Sequence, residues 1–170
     1  MRFSRGVLVI LFLVGGFAGR AHADDGSGKG AVGVGIILGE PTGVCAKIYL
    51  GTKSDFAIDM AAGGAVVGGG LQAHGDALWH PWILSDEDTF VLPAYIGAGI
   101  RLLDHTRGRS DSDFHGGIRA VVGMLFDFKN LPIDVFVEVA GVLDYVVGSN
   151  GDHDGIGFGF NGGAGVRYYF

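Results

Sequence analysis

The chain has 170 residues, of which 33 are glycine, with 12 basic against 18 acidic residues and a net charge of -6. Glycine at this density argues against a helical fold, because each interior glycine costs about 0.5 to 1 kcal/mol relative to alanine. The acidic balance makes nucleic acid a poor partner, and none is expected.

The first element in chain order is MRFSRGVLVILFLVGGFAGRAHA: Arg2 and Arg5, an apolar run from Gly6 to Gly19, then the small-residue site Ala21, His22, Ala23. That order is a secretory signal peptide, and its apolar run falls short of the ~18 residues of a spanning helix. Cleavage is expected after Ala23, giving a signal at 1-23 and one domain at 24-170, long enough for a real interior. No cysteine stands near the cut, so a lipid-modified end is not expected. Nine basic and 18 acidic residues then remain, a net charge of -9. The single cysteine, Cys45, has no intramolecular partner, so stability must come from elsewhere than disulfides. Mean hydropathy is nevertheless positive, +0.38, and past the signal no uninterrupted apolar helix accounts for it.

Period two accounts for it. The remaining chain divides into eight segments of about ten residues with apolar side chains at alternate positions. The first three carry Val32, Val34, Ile36, Leu38; Val44, Ala46, Ile48, Leu50; and Phe56, Ile58, Met60, Ala62. The next two carry Leu71, Ala73, Ala77, Trp79; and Leu92, Ala94, Ile96, Ala98, Ile100, Leu102. The last three carry Ile118, Ala120, Val122, Met124, Phe126; Ile133, Val135, Val137, Val139; and Phe158, Phe160, Ala164, Val166, Tyr168, Phe170. Between them stand GEPTG (39-43), GTKSD (51-55), VVGGG (66-70), SDED (85-88), DHTRGRSDSD (104-113), KNLP (129-132) and GSNGDHDG (148-155). The even-numbered connections are short and two of the odd-numbered ones are long, as in an outer-membrane barrel with tight periplasmic turns and longer outer loops. Pro81 and Pro93 each lack a ladder donor, so a bulge or frayed pairing is expected around the SDED turn.

The opposite face separates a membrane barrel from a soluble, lipocalin-like one. A soluble barrel turns a lysine-, glutamate- and serine-rich face outward; here that face is largely glycine, including Gly33, Gly35, Gly97, Gly99, Gly117, Gly123, Gly157, Gly159, Gly163 and Gly165. Among the glycines sit Lys47, Arg101, Arg119 and Arg167 against Asp59, Asp76, Asp127, Asp134, Glu138 and Asp144. Glycine beside large charges reads as a crowded lumen, which sends the apolar face into lipid. The expected fold is therefore all-β, an eight-stranded antiparallel up-and-down transmembrane β-barrel. Aromatics support it: Tyr49, Phe56, Trp82, Phe90, Phe128, Tyr168, Tyr169 and Phe170 fall at one level, as an interfacial girdle should, with Phe114, Tyr145, Phe158 and Phe160 at the other rim.

Several stretches resemble a known family: GIILGEPTG (35-43), LWH (78-80), LPAYIGAGIR (92-101), FVEVAGVLD (136-144) and the final GAGVRYYF (163-170). The chain resembles the small OmpA/OmpX-like eight-stranded outer-membrane barrels. The resemblance implies insertion by the barrel-assembly machinery, which reads a last strand ending in an aromatic; Val166, Tyr168 and Phe170 match that signal. It implies no wall-tethering role, because no peptidoglycan-binding segment follows these strands.

Candidate chemistry is sparse. Lys47 and Asp59 are symmetric about GTKSD, so hairpin register should set them opposite each other. Arg119, Arg167, Asp134 and Glu138, on the last three strands, are expected to form a second lumen cluster. Such charges suit either an ion path or a structural plug, and the plug is favoured because side chains fill a barrel of this size. His74, Asp76 and His80 alternate on one face with Cys45 nearby. From His74 to His80 is about 20 Å of strand, too far for one ion to bind both, so satisfied interior histidines and no metal are expected. Asn150, Asp152 and Asp154 resemble the opening of a calcium loop, but Asn161 stands where the closing glutamate belongs. Arg107 and Arg109 belong to a solvated loop suited to lipopolysaccharide phosphates. Ser112 near His115 is the nearest approach to a hydrolytic pair, with no acid singled out. The expectation is a monomeric, non-catalytic, cofactor-free structural or surface protein of the outer membrane, in contact with its lipids and lipopolysaccharide. A narrow pore, a lipid-modifying enzyme and a soluble binding barrel are the alternatives.

Overall fold

The computed structural model describes residues 29-51, 55-67, 69-107, 111-147 and 155-170, without the side chains of 105-107, 111-114 and 146-147. The segment expected to be a signal lies outside them. Eight strands follow in chain order: β1 (Val32–Gly39), β2 (Thr42–Leu50), β3 (Phe56–Gly64), β4 (Leu71–Asp86), β5 (Phe90–Arg107), β6 (Asp111–Phe128), β7 (Ile133–Val147) and β8 (Gly155–Tyr169). Each pairs antiparallel with the next, and β8 returns to β1, so the sheet closes into a barrel with both ends of the described chain at one rim.

Alternation decides which side chains line the inside. The apolar sets that define the eight segments point outward, exposed or half-buried, and the intervening phase is buried. That phase carries Lys47, Asp59, Asp76, Arg101, Arg119, Asp134, Glu138 and Arg167, as expected, with Asp127 half-buried near the rim. It also carries large apolar groups that sequence pattern did not single out: Ile37, Leu78, Tyr95, Leu125 and Phe136 form the interior cluster. Glycines make room for several of these. A Cβ on Gly123 would stand 2.4 Å from the Tyr95 ring, one on Gly165 2.6 Å from the Phe136 ring, and one on Gly99 2.1 Å from an Asp76 oxygen. At these positions glycine is a socket for a large group on a neighbouring strand.

Strand length departs from expectation. β1 to β3 have eight or nine residues, whereas β4 to β8 have 15 to 18. Within DHTRGRSDSD, read from sequence as a loop, residues 104-107 and 111-113 continue the ladder, with Thr106 opposite Ser112 and Arg107 opposite Asp111. Apolar alternation stops there, but a hydrogen-bonded ladder needs only backbone groups, which polar residues supply equally. Around the prolines the expectation holds: register shifts fall between Trp79 and Trp82 and between Ile83 and Ser85, with Ile83 facing Pro93.

Two devices fix the rims. Gly51, in the β2–β3 turn, has φ +79°, which glycine adopts without steric cost. At the rim opposite the termini, Glu40 Oε2 accepts hydrogen bonds from the backbone N–H groups of Val66 (3.0 Å) and Val67 (2.9 Å). GEPTG therefore braces the β1–β2 turn against the β3–β4 connection.

The closing seam is the most crowded place in the wall. A Cβ on Gly35 of β1 would lie 1.8 Å from the Val166 carbonyl oxygen of β8, whereas one on Gly159 meets nothing within 4 Å. Gly35→Ala is expected to lower stability by about 1–3 kcal/mol, the range for overpacking, while Gly159→Ala stays within about 0.5 kcal/mol. Urea unfolding of both variants measures the difference, and equal stabilities would contradict the seam.

Candidate functional site

Most of the chain's concentrated chemistry lies in the lumen, where β-strand alternation drives charged groups from β2 to β8 toward one axis. They form successive polar layers. Nearest the termini, Lys29 pairs with Asp127 and donates to the Ile133 carbonyl at 3.0 Å. Next comes Arg167, 0% exposed: its Nε donates to Asp134 Oδ1 at 3.0 Å and its Nη1 to Asp59 Oδ1 at 2.8 Å. The Tyr169 hydroxyl donates to Asp134 Oδ2 at 2.6 Å, and the Phe136 ring lies 4.0 Å from the guanidinium carbon.

Lys47, also 0% exposed, stands opposite Asp59 in the β2–β3 ladder as expected. Its Nζ lies 2.8 Å from His80 Nε2, between the rings of Tyr49 and Tyr95 at 4.8 and 5.1 Å. An ammonium only donates, so His80 Nε2 accepts and its Nδ1 carries the proton toward the Asp55 carbonyl, 3.3 Å away.

Further along, Arg119 holds two carboxylates, with Nε 3.0 Å from Asp76 Oδ2 and Nη2 donating to Glu138 Oε1 at 2.9 Å. Tyr95 donates to Glu138 Oε2 at 3.1 Å. Toward the far rim, Arg101 makes a two-pronged contact with Asp144 and donates through Nη1 to Asn161 Oδ1 at 3.0 Å.

The expected cluster of Arg119, Arg167, Asp134 and Glu138 is thus two clusters. Asp134 and Glu138 are four residues apart on β7, about 13 Å along a strand, so each takes its own arginine. His80 is satisfied, as expected. His74 is not: its buried Nδ1 has no hydrogen-bond partner among the described residues. The girdle also needs correction, because Tyr169 is buried in the lumen and Tyr49 stacks on it at 5.9 Å. Both stand on the inward phase of their strands. Of the expected girdle, Phe56, Trp82, Phe90, Tyr168 and Phe170 remain outside at that rim, joined by Trp79, which stacks on Phe56 at 6.4 Å.

Asn161, considered as a calcium-loop position, is instead buried in β8 on Arg101. Asn150, Asp152 and Asp154 lie outside the described residues, and so does the Ser112 side chain. Lys29, Gln72, Tyr95, Asn161 and Tyr169 join the lumen without a sequence signal other than phase. Val166, Tyr168 and Phe170 all face outward.

These features define a class by architecture: a closed, eight-stranded antiparallel barrel with an apolar outer wall and a charged, hydrogen-bonded lumen. Compared with protein-family models, curated proteins and solved structures, the chain finds no match in any of the three.

Proposed function

We propose that the chain is an integral outer-membrane β-barrel of the small OmpA/OmpX-like kind, a monomeric structural or surface component without catalysis, whose lumen is plugged by its own side chains. One observation carries this reading: the outer wall is apolar on every strand while the charges are inside. Ile36 is 54% exposed, Val44 62%, Ile118 63% and Phe160 74%. Soluble monomers rarely leave apolar patches beyond a few hundred Å² open to water. The same wall placed in hydrocarbon costs nothing, and closure of the barrel leaves no sheet edge unpaired there. No helix among the described residues is long and apolar enough to cross a membrane, which leaves the strands as the spanning elements in this proposal.

On this reading the 1-23 segment directs export, the outward Val166, Tyr168 and Phe170 serve the assembly machinery, and the wall contacts lipid and lipopolysaccharide. The rim carrying the termini is periplasmic, and its outward aromatics sit at the interface. The paired layers of Arg167, Arg119 and Arg101 favour a plug over an ion path.

Membrane fractionation with a heat-modifiability gel tests the reading. The protein is expected in the membrane fraction, with a mobility shift on boiling; recovery in a soluble fraction without detergent would support a lipocalin-like carrier instead. Planar-bilayer recordings with pure protein are expected to stay silent, and unitary current steps would favour the pore.

A further inference from the structure

The Arg119 layer holds more acid than base, and an adjacent imidazole completes a ligand set. We propose that His74, Asp76 and Glu138 form a lumen site for a divalent first-row transition ion of the Zn²⁺ type. Each residue offers a ligand atom, all within 4.8 Å of one another, and all three side chains are buried. Zinc bonds of about 2.0–2.2 Å place tetrahedral ligands roughly 3.3–3.6 Å apart, so a rotamer adjustment of about 1 Å closes the set. His74 and Asp76 are neighbours on the inner phase of β4, and Glu138 comes across the lumen from β7.

Charge points to a cation. Two carboxyl groups face one guanidinium in this layer, so its acids outnumber its bases. The adjacent cations are engaged elsewhere: Arg101 by Asp144, and Arg167 by Asp59 and Asp134.

Hydrogen bonding supplies an independent observation. His74 has a 1%-exposed side chain, yet its Nδ1 has no partner, and its Nε2 stands 3.9 Å from Asp76 Oδ2, beyond hydrogen-bond reach. Neither Asp76 oxygen makes a well-formed hydrogen bond among the described residues. Buried polar atoms are normally satisfied, so an imidazole and a carboxylate that stand 3.9 Å apart with no hydrogen bond between them fit a missing shared cation. One imidazole nitrogen with two carboxylates suits Zn²⁺ and its first-row neighbours better than Ca²⁺ or Mg²⁺, which favour all-oxygen sets. Arg119, hydrogen-bonded to Glu138 and in ion-pair contact with Asp76, holds both in place.

The full chain, refolded in detergent micelles and stripped with a chelator, is titrated with Zn²⁺ by calorimetry, with Co²⁺ absorption as a second readout. One saturable site with Kd of about 10 μM or tighter is expected. His74→Ala and the isosteric Glu138→Gln should each weaken it at least about tenfold, while His80→Ala leaves it intact. Heat-modifiability gels verify that each variant folds. Should His74→Ala fail to fold, Glu138→Gln and the intensity of the wild-type Co²⁺ bands, strong for four-coordinate and weak for hexa-aqua ion, decide the matter. Absence of saturable Zn²⁺ binding, or binding that survives Glu138→Gln or a folded His74→Ala variant undiminished, would overturn the proposal.

Discussion

Arg167→Met is expected to destabilise the barrel by about 3–5 kcal/mol, the cost of removing one partner from a buried ionic cluster. Arg167 is fully enclosed and is the hydrogen-bonding link between Asp59 of β3 and Asp134 of β7. Methionine keeps much of the volume and the contact with Phe136, so most of the loss reports charge rather than a cavity. What remains is two buried carboxylates with Lys47, itself engaged by His80, as the remaining cation of that layer. Adding Asp134→Asn to the methionine variant should recover part of the loss, because it removes a charge that has lost its partner. Lys129→Met is the comparison: its pair with Asp86 is exposed and worth about 0–1 kcal/mol. Urea unfolding in micelles, followed by Trp79 and Trp82 fluorescence, measures all three. A loss below about 1 kcal/mol for Arg167→Met would show that the layer does not hold the barrel together.

The second large effect separates a membrane wall from a wet one. Val122 points outward from the middle of the β6 apolar stretch, 57% exposed, with Ile96 and Val139 beside it in the ladder. In a bilayer, Val122→Arg at mid-depth is expected to cost about 2–4 kcal/mol. In water, the same exposed substitution should stay within about 0.5 kcal/mol. Leu131→Arg, in the β6–β7 turn, provides a position beyond the apolar stretch where little change is expected in either medium. Folding titrations in lipid vesicles measure both variants, and equal, small effects would sink the membrane reading.

Phase was the readable quantity. Lys47, Arg119 and Arg167 could be placed inside from alternation alone, because successive Cβ atoms of a strand point to opposite faces whatever the partner strand does. Hairpin symmetry went one step further and set Lys47 opposite Asp59, since a short turn fixes register between sequence neighbours. Strand ends were not readable, because the backbone ladder past Leu102 continues through Asp104, Thr106 and Ser112 without any apolar signal. Tyr49 and Tyr169 were legible and misplaced: both stand on the inward phase of their strands, and grouping aromatics by level along the strand passed over that phase.

The sequence by itself therefore determined an all-β chain of eight segments and, residue by residue, which side chains share a face. These depend on local periodicity, which survives without knowledge of any contact. Tertiary structure alone decided the pairings: Arg167 with Asp59 from a strand more than 100 residues earlier, Arg119 between Asp76 and Glu138, and His74 left open beside them. Apart from Arg119–Glu138, which joins adjacent β6 and β7, those contacts run across the lumen between strands that are not neighbours in the sheet. They exist only once β8 closes on β1, when closure sets how far each strand is staggered and so which inward side chains meet at each level.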